Sequence, residues 1–322
     1  MSRHAVLLTR RVPSSVVATL EAQCAVEVWD GRDAMPPAEL KARLAGKQAL
    51  MCLLTDRVDG PVLDAGPGLR IVANIAVGFD NIDLAAARAR GVVVTNTPDV
   101  LTEATADFTW GLILAVARRI PEGERLLRRG AWSGWALDFM LGSDLRGKQL
   151  GVVGLGRIGR AVAARAGAFG MRVAYTTLDG AGLEPGPGEA AWLRMSLDEL
   201  LSSSDVVTFH VPLTPETRHL VDRRAILRMK RRACLVNTSR GPVVDEAALA
   251  WALREGLIAG AALDVYEQEP RVHPELLGLE NVVLAPHLGS ATVETRTAMA
   301  DLAARNVLAV LSGLAPLTPV TG

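Results

Sequence analysis

The chain has 322 residues, more than a single hydrophobic core usually supports, and this length predicts two domains. Basic and acidic residues number 35 each, so no net charge attracts nucleic acid or an anionic membrane, and a small-molecule partner is expected. Hydrophobic residues make up 49% of the sequence, yet no apolar stretch is long enough to span a bilayer.

The cysteines favour a reducing compartment. Cys24, Cys52 and Cys234 lie in or beside apolar, strand-like segments, without the spacing of a disulfide framework or a metal site. The apolar run at residues 5–8 is too short for a signal-peptide core. We therefore expect free buried thiols, no bound metal and a cytoplasmic location.

The first part of the chain alternates short apolar runs with helical patterns. Strands are predicted at residues 5–8, 25–28, 49–54, 70–75 and 92–95, with helices such as 14–23 and 84–90 between them. This alternation is typical of a parallel sheet. A long apolar helix is predicted at 103–119, followed by a loop that carries Trp132, Trp135 and Phe139.

A glycine-rich turn then indicates a dinucleotide. Gly154, Gly156 and Gly159 form the pattern Gly-x-Gly-x-x-Gly between a predicted strand at 151–153 and a predicted helix at 158–168. The glycines permit a tight turn, a close backbone approach to a pyrophosphate, and close packing of helix on strand. A ligand-free structural turn is the alternative, and the flanking strand and helix disfavour it.

Six strands of a second sheet follow from this turn onwards. They are predicted at 151–153, 172–175, 206–210, 233–237, 260–264 and 282–284, with residues 178–189 as a surface loop. A final helix at 292–311 has no partner in that sheet, so it is expected to pack on the first domain. The predicted domains are thus 1–98 with 290–322, and 99–289, with a cleft between them.

Polar residues follow three strands of the second sheet. They lie in the segments 237–241, 264–270 and 286–290, where the carboxyl ends of parallel strands gather ligands. Taken singly, Arg240 could be a surface cation, Glu269 part of an exposed turn and His287 a structural histidine. Their shared position at strand ends of one sheet favours an active site instead.

These motifs together resemble the D-isomer-specific 2-hydroxyacid dehydrogenases over essentially the full length, in the glyoxylate/hydroxypyruvate reductase-like branch. The resemblance implies an α/β fold with two Rossmann-like parallel-sheet domains, of which the discontinuous substrate domain is flavodoxin-like. It also implies that Arg240 holds the substrate carboxylate and carbonyl, that His287 donates the proton, and that Glu269 orients His287. Backbone N–H groups of Ala76, Val77 and Gly78 are expected to hold the carboxylate as well.

The resemblance also implies the cofactor contacts. Besides the three glycines, they are Leu155, Arg157, Ile158, Thr176, Thr177, Val211, Pro212, Thr217, Thr238, Ser239, Asp264, Gly289 and Ser290, with Thr102 as a weaker candidate.

The choice between NAD(H) and NADP(H) stays open. Thr176 stands where NAD-binding strands normally end in an acid that accepts from the ribose 2′-hydroxyl. Leu178 stands where NADP-using relatives carry an arginine. We favour NADP(H) or dual use, and Asp179 could still bind NAD(H).

The expected reaction is reduction of glyoxylate or hydroxypyruvate. Pyruvate, phenylpyruvate and phosphoglycerate-type substrates remain alternatives, as does a non-catalytic corepressor-like protein that senses the dinucleotide. A homodimer is expected, in which Trp135 either lines the neighbour's substrate site or serves packing alone.

Overall fold

The computed structural model describes residues 3–31, 33–177, 186 and 188–321. The chain divides into two compact units, Met1–Leu101 with Thr292–Gly322, and Thr102–Ala291. Each unit holds one parallel β-sheet with helices, which confirms the predicted fold class. The domain boundaries predicted from the sequence fall after residues 98 and 289. In the structure the units divide after Leu101 and Ala291.

The first unit is built on a five-stranded sheet in the order β2-β1-β3-β4-β5, a flavodoxin-like order. The strands are β1 (His4–Leu8), β2 (Cys24–Val28), β3 (Ala49–Cys52), β4 (Ile71–Asn74) and β5 (Val93–Thr95). The helices are α1 (Ser14–Glu21), α2 (Pro37–Leu44), α3 (Gly60–Asp64) and α4 (Leu84–Ala89). The last helix of the chain, α12 (Val293–Leu311), also lies in this unit.

Helix α12 is capped at its N-terminus and bonded to the first sheet at its C-terminus. Its N-terminus is capped by the Thr292 side chain, which accepts from the N–H of Thr295. At its C-terminus the Arg70 guanidinium donates to the carbonyl oxygens of Val310 and Leu311 at 2.7 and 3.0 Å. These bonds satisfy carbonyl groups that a helix end leaves without partners. The helix packs on α1, β3 and β4.

The second unit contains a seven-stranded sheet in the order β12-β11-β10-β9-β6-β7-β8. The strands are β6 (Gln149–Val153), β7 (Arg172–Thr176), β8 (Leu193–Arg194), β9 (Val206–Phe209), β10 (Cys234–Asn237), β11 (Gly260–Leu263) and β12 (Val282–Leu284). The helices are α5 (Thr102–Ala117), α6 (Ile120–Arg128), α7 (Arg157–Arg165), α8 (Leu197–Ser203), α9 (Arg223–Arg228), α10 (Glu246–Arg254) and α11 (Pro274–Leu277).

Read from β8, this order is that of a dinucleotide-binding sheet with one further strand at the end. The prediction of six strands was wrong because it omitted the edge strand β8. Both residues of this strand, Leu193 and Arg194, are exposed. Two residues are too few to show an alternating pattern, so no strand is predictable there from periodicity. The predicted loop at 178–189 lies largely outside the described residues.

Helix α5 supports the glycine-rich side of this sheet. The indole of Trp110 on α5 stacks on Phe169, with ring centroids 4.2 Å apart, and its Nε1–H donates to the carbonyl oxygen of Val162 on α7 at 2.9 Å. These contacts fix α7 against the sheet, so the position of its N-terminus is set by buried packing. Within the described ranges, no helix combines the length and apolarity needed to cross a membrane.

Candidate active site

Two glycines of the turn between β6 and α7 allow close contacts between backbone segments. A Cβ on Gly159 would lie 2.0 Å from the carbonyl oxygen of Gly154, so only glycine allows α7 to pack this closely. Gly154 has φ +95°, and a Cβ there would lie 2.7 Å from the carbonyl oxygen of His210, which follows β9. The turn therefore lies where the strand order reverses, which is where open α/β sheets bind ligands.

The N-terminus of α7 suits an anion. Its N-cap residue is Gly156, and no side chain caps the first N–H groups. A Cβ on Gly156 would meet no atom of the described residues within 4 Å, so these residues leave the space beside Gly156 open. The side chain of Leu155 is buried in the core, whereas Arg157 is exposed and Ile158 half-buried. An uncapped helix start facing open space fits the pyrophosphate of a dinucleotide.

Two predicted contacts lie at the end of β7. Thr176 is the last residue of the strand and is 5% exposed, whereas Thr177 follows the strand and is half-buried. Leu178 and Asp179, on which the choice of cofactor was argued, lie outside the described residues. Of the two threonines, Thr177 has the accessible hydroxyl.

The loop after β9 is held by a threonine. The Thr217 hydroxyl donates to the carbonyl oxygen of Pro212 at 2.7 Å and accepts from the N–H of Thr214 at 2.7 Å. Val211 is buried beside Pro212. These bonds fix the backbone of the predicted adenosine contacts, while direct contact of Thr217 with a cofactor stays a prediction.

His287 and Glu269 form a pair. His287 follows β12 and has φ +55°, and its Nδ1 lies 2.9 Å from Glu269 Oε2. Glu269 follows β11, and its other oxygen accepts from the N–H of Tyr266 at 3.1 Å. With both carboxylate oxygens engaged, the carboxylate fixes the orientation of the imidazole ring and leaves Nε2 as its second functional atom.

The charges around Glu269 keep it ionised. Burial alone would raise the pKa of its carboxyl group, but four effects outweigh burial and lower that pKa below its ordinary value. They are the hydrogen bond from His287, the charge of His287, the N–H of Tyr266 and the charge of Arg240. The guanidinium of Arg240 is therefore close enough to act on this carboxylate.

Arg240 is positioned by the residues that follow β10. Buried Asn237, the last residue of that strand, donates from Nδ2 to the carbonyl oxygen of Arg240 at 2.9 Å. Its Oδ1 accepts from the N–H and the hydroxyl of Ser239 at 3.0 and 2.8 Å. The neighbouring Thr238 hydroxyl lies 3.0 Å from that of Thr109 on α5. The segment is thus bound to the sheet and to α5.

Gly241 allows the loop after β10 to pack closely against the loop after β11. A Cβ on Gly241 would lie 1.9 Å from the carbonyl carbon and oxygen of Tyr266, so no other residue fits without backbone movement. The close approach places the Arg240 loop directly against the loop that carries Glu269.

Asp264, the residue after β11, holds the loop of His287. Its two oxygens accept from the N–H groups of Leu288 and Gly289 at 2.6 and 2.8 Å. Its side chain is buried, and burial raises its pKa above the ordinary value despite these bonds and the nearby His287. Asp264 therefore acts on the loop of Gly289 and Ser290, and its predicted contact with the cofactor stays a prediction. Thr102 begins α5 and is half-buried.

A second carboxylate pair was missed by the sequence reasoning. Buried Glu246 accepts from the N–H groups of Glu267 and His273 at 2.6 and 3.1 Å. Glu267 accepts in return from the N–H of Glu246 at 3.0 Å, and its other oxygen lies 2.8 Å from His219 Nε2. These bonds anchor both ends of the loop that carries Glu269. Only the helix-start position of Glu246 hinted at this role.

In the first unit, the loop after β4 has its carbonyl groups fastened. The carbonyl oxygens of Ala76, Val77 and Gly78 accept from Thr97 N–H, Asn96 Nδ2 and Asn74 Nδ2 at 2.9, 2.7 and 2.8 Å. Because N–H and C=O point oppositely across a trans peptide, the next N–H groups face away from these partners. The N–H groups that follow these carbonyls are therefore the candidate donors for an anion.

Trp135 lies in a strongly exposed apolar segment of the second unit. Its side chain is 80% exposed, and that of Leu137 is 82% exposed. Among the described residues of the second unit, no hydrogen bond or ring contact joins Trp135 to the loops of Arg240, Glu269 and His287.

The sequence is similar to known proteins over nearly its whole length. Residues 110–289 match the family described as D-isomer specific 2-hydroxyacid dehydrogenase, NAD binding domain. A glyoxylate reductase from Thermofilum pendens is 48% identical over 324 residues, covering 98% of this chain and 94% of that protein. A glyoxylate reductase from Aeropyrum pernix is 49% identical over 322 residues, covering 98% and 95%.

Solved structures of known proteins are also similar to this chain over nearly its whole length. The TT0316 protein from Thermus thermophilus has a TM-score of 0.92 and 48% identity, covering 98% of this chain and 100% of that chain. An NADPH-dependent glyoxylate/hydroxypyruvate reductase from Sinorhizobium meliloti, solved with NADP and malonate, has a TM-score of 0.86 and 38% identity, covering 99% and 97%.

Proposed function

Because the chain belongs to the D-isomer specific 2-hydroxyacid dehydrogenase family, we propose that it reduces glyoxylate to glycolate and hydroxypyruvate to D-glycerate with NADPH or NADH. The observation that carries the proposal is the His287–Glu269 pair at 2.9 Å, beside Arg240 at the same edge of the sheet. The names of the similar proteins support the choice of substrate.

Each of the three side chains has a task in this reaction. When bound at the start of α7, the dinucleotide would supply the hydride that the carbonyl carbon of the substrate accepts. As negative charge develops on the carbonyl oxygen, His287 gives it a proton from Nε2, while Nδ1–H stays bonded to Glu269. Arg240 binds the carboxylate and carbonyl oxygens through its planar guanidinium. The product is the 2-hydroxy acid.

Other residues place the reactants. The uncapped start of α7 and the space before Gly156 would hold the pyrophosphate. N–H groups of the loop that contains Ala76, Val77 and Gly78 would hold the substrate carboxylate. Such positioning accounts for a large share of catalysis, since reacting atoms must approach to about 3–3.5 Å.

The proposal is tested with a panel of 2-oxo acids. Glyoxylate, hydroxypyruvate, pyruvate and phenylpyruvate are each offered with NADPH and with NADH, and oxidation of the cofactor is followed by absorbance. We expect the highest kcat/KM with glyoxylate or hydroxypyruvate, and D-glycerate as the product from hydroxypyruvate. A higher kcat/KM with pyruvate or phenylpyruvate would show that the proposed substrate is wrong. Tight dinucleotide binding without any turnover would favour a sensing protein instead.

We further propose a homodimer in the cytoplasm. The segment around α6 exposes several large apolar side chains that a second copy would cover. They are Ile120, Leu127, Trp132, Trp135, Leu137 and Leu141, each more than half exposed. The three cysteines are free and buried, which supports a reducing compartment.

The dimer is tested by sedimentation of the wild type and of Leu137→Asp. We expect a dimer for the first and a monomer for the second, and a wild-type monomer would contradict the proposal. Trp135→Ala separates the two roles of that residue. A raised KM in an intact dimer indicates that it lines the partner's substrate site, whereas a weakened dimer with normal KM indicates packing.

A further inference from the structure

The edge strand β8 carries an arginine to the nucleotide-binding side of the second sheet. Arg194 is paired in parallel register with Tyr175 of β7, and the N–H of Met195 donates to the carbonyl oxygen of Tyr175 at 2.9 Å. Partnered residues of neighbouring strands share a face, and so do residues two apart on one strand. Arg194 therefore lies on the same face as Tyr175 and Thr177.

The guanidinium reaches the carboxyl end of β7. Its Nη2 lies 3.4 Å from the Thr177 hydroxyl oxygen, a long and weak hydrogen bond. Arg194 is exposed, and it forms no ion pair with any residue in the described ranges. Its positive charge is therefore not neutralised by a neighbouring carboxylate among these residues.

This position has a defined meaning in a dinucleotide-binding sheet. The residue at the end of the second strand faces the ribose 2′ position, where an acid accepts from a hydroxyl and an arginine accommodates a phosphate. Here the second strand is β7, and its last residue Thr176 is buried, so among the described residues Thr177 and Arg194 are the accessible polar groups at this strand end. The positive, planar guanidinium binds a phosphate more strongly than an uncharged 2′-hydroxyl, and the threonine hydroxyl can donate to the same phosphate.

We propose that Arg194 and Thr177 bind the 2′-phosphate of NADPH, so that Arg194 determines the preference of this chain for NADPH over NADH. The proposal rests on the proposed function, since it takes the dinucleotide to bind at the start of α7. The guanidinium that would bind the phosphate thus belongs to the edge strand β8, 17 residues after Thr177 in the sequence.

The test measures binding without turnover. Dissociation constants of NADPH, NADH, adenosine 2′,5′-bisphosphate and 5′-AMP are determined by calorimetry for the wild type, Arg194→Ala and Arg194→Lys. The matched control is Arg172→Ala, because Arg172 is an exposed arginine at the opposite end of β7. Circular dichroism verifies that each variant is folded.

We expect Arg194→Ala to weaken NADPH and adenosine 2′,5′-bisphosphate by about 10- to 100-fold, as for a lost charged hydrogen bond. NADH and 5′-AMP should change by less than about twofold, because they lack the phosphate that the guanidinium binds. Arg194→Lys should retain part of the affinity, since it keeps the charge but loses the planar fork. Arg172→Ala should match the wild type with all four ligands.

Two results would overturn the inference. One is an equal loss for phosphorylated and unphosphorylated ligands in Arg194→Ala, and the other is an unchanged NADPH affinity in that variant. In either case the wild type would still bind dinucleotide and reduce glyoxylate. A wild type that binds none of the four ligands would overturn the proposed function as well.

Discussion

The two halves of the carboxyl edge in the second unit are built differently. In the loops after β10, β11 and β12, here called the catalytic half, carboxylates hold the loops together: Asp264 accepts from Leu288 and Gly289 of the next loop, and Glu269 pairs with His287 of that loop and accepts from Tyr266 of its own. In the segments that end or follow β6, β7 and β8, called the nucleotide half, a Cβ on Gly156 would meet no described atom within 4 Å, and Arg194 makes one long hydrogen bond.

The difference agrees with the task proposed for each half. Proton transfer requires an imidazole held within hydrogen-bonding reach of the reacting oxygen, so rigid bonds to its neighbours help catalysis. A cofactor that is exchanged each turnover requires space and exposed donors instead. Substitutions in the catalytic half should therefore change turnover or the KM for the 2-oxo acid, whereas those in the nucleotide half should change cofactor affinity.

The largest expected effect is on kcat in the catalytic half. His287→Ala should lower kcat by about 10²- to 10⁴-fold, because it removes the proton donor, while the Kd of NADPH changes little. The matched control is His4→Ala, since His4 is an exposed histidine at the first position of β1 in the first unit. Steady-state kinetics and cofactor titration check both variants. A loss of fold stability with normal kcat per folded molecule would mean that His287 is structural.

Arg240→Lys should act on the substrate. It keeps the positive charge but loses the planar fork, so KM for glyoxylate should rise by about 10- to 100-fold. Binding of NADPH, measured by fluorescence, should stay near the wild-type value. Unchanged KM with weakened NADPH binding would assign Arg240 to the nucleotide instead.

Glu269→Gln should have a smaller effect with a distinct dependence on pH. An amide still accepts from His287 but lacks the charge, so kcat should fall by about 10-fold. Because the folded pKa of Glu269 is lowered, the carboxylate of the wild type keeps its charge down to a pH below the ordinary glutamate pKa of about 4.3. The folding stability that this charge contributes is present above that pKa and is lost as pH falls through the lowered value.

The prediction is checked with kcat profiles and urea unfolding between pH 4 and pH 8. For the wild type we expect no ionisation near the ordinary glutamate pKa, and for Glu269→Gln a smaller loss of stability at the acid end. A wild-type transition assigned to Glu269 above about pH 4.3 would contradict the charge arrangement of the site.

The smallest expected effect is on stability, at His210 after β9, the strand that lies between the two halves. Burial lowers the pKa of His210 to about 3, so this residue is neutral in the folded chain. The unfolded chain takes up the proton near pH 6.5, so stability falls as pH falls from there towards the folded value. Between pH 8 and pH 5 the wild type should lose about 1 to 2 kcal/mol more unfolding free energy than His210→Gln. Parallel curves in urea unfolding would refute this assignment.

Much of this arrangement could be predicted from the sequence. Arg240, Glu269 and His287 each follow an apolar strand, and parallel strands bring such positions to one edge. The glycine-rich turn was recognised because its strand and helix flank it directly. In both cases the signal is local.

The parts that could not be predicted depend on tertiary contacts. Arg194 lies on a two-residue strand that has no periodic pattern, so nothing linked it to Thr177 before the register with β7 was known. The mutual bonds of Glu246 and Glu267 join a helix start to a distant loop. Placing α12 on the first sheet needed an argument from strand counts, because an amphipathic helix does not specify its partner.

The most direct test of the division between the two halves is a double-mutant cycle of His287→Ala and Arg194→Ala, with kcat for glyoxylate and the Kd of NADPH measured for all four proteins. We predict that His287→Ala changes only kcat, that Arg194→Ala changes only the NADPH Kd, and that the double variant shows both changes with no coupling beyond about 0.5 kcal/mol. A lowered kcat at saturating NADPH in Arg194→Ala, or a strong coupling between the two substitutions, would contradict the account.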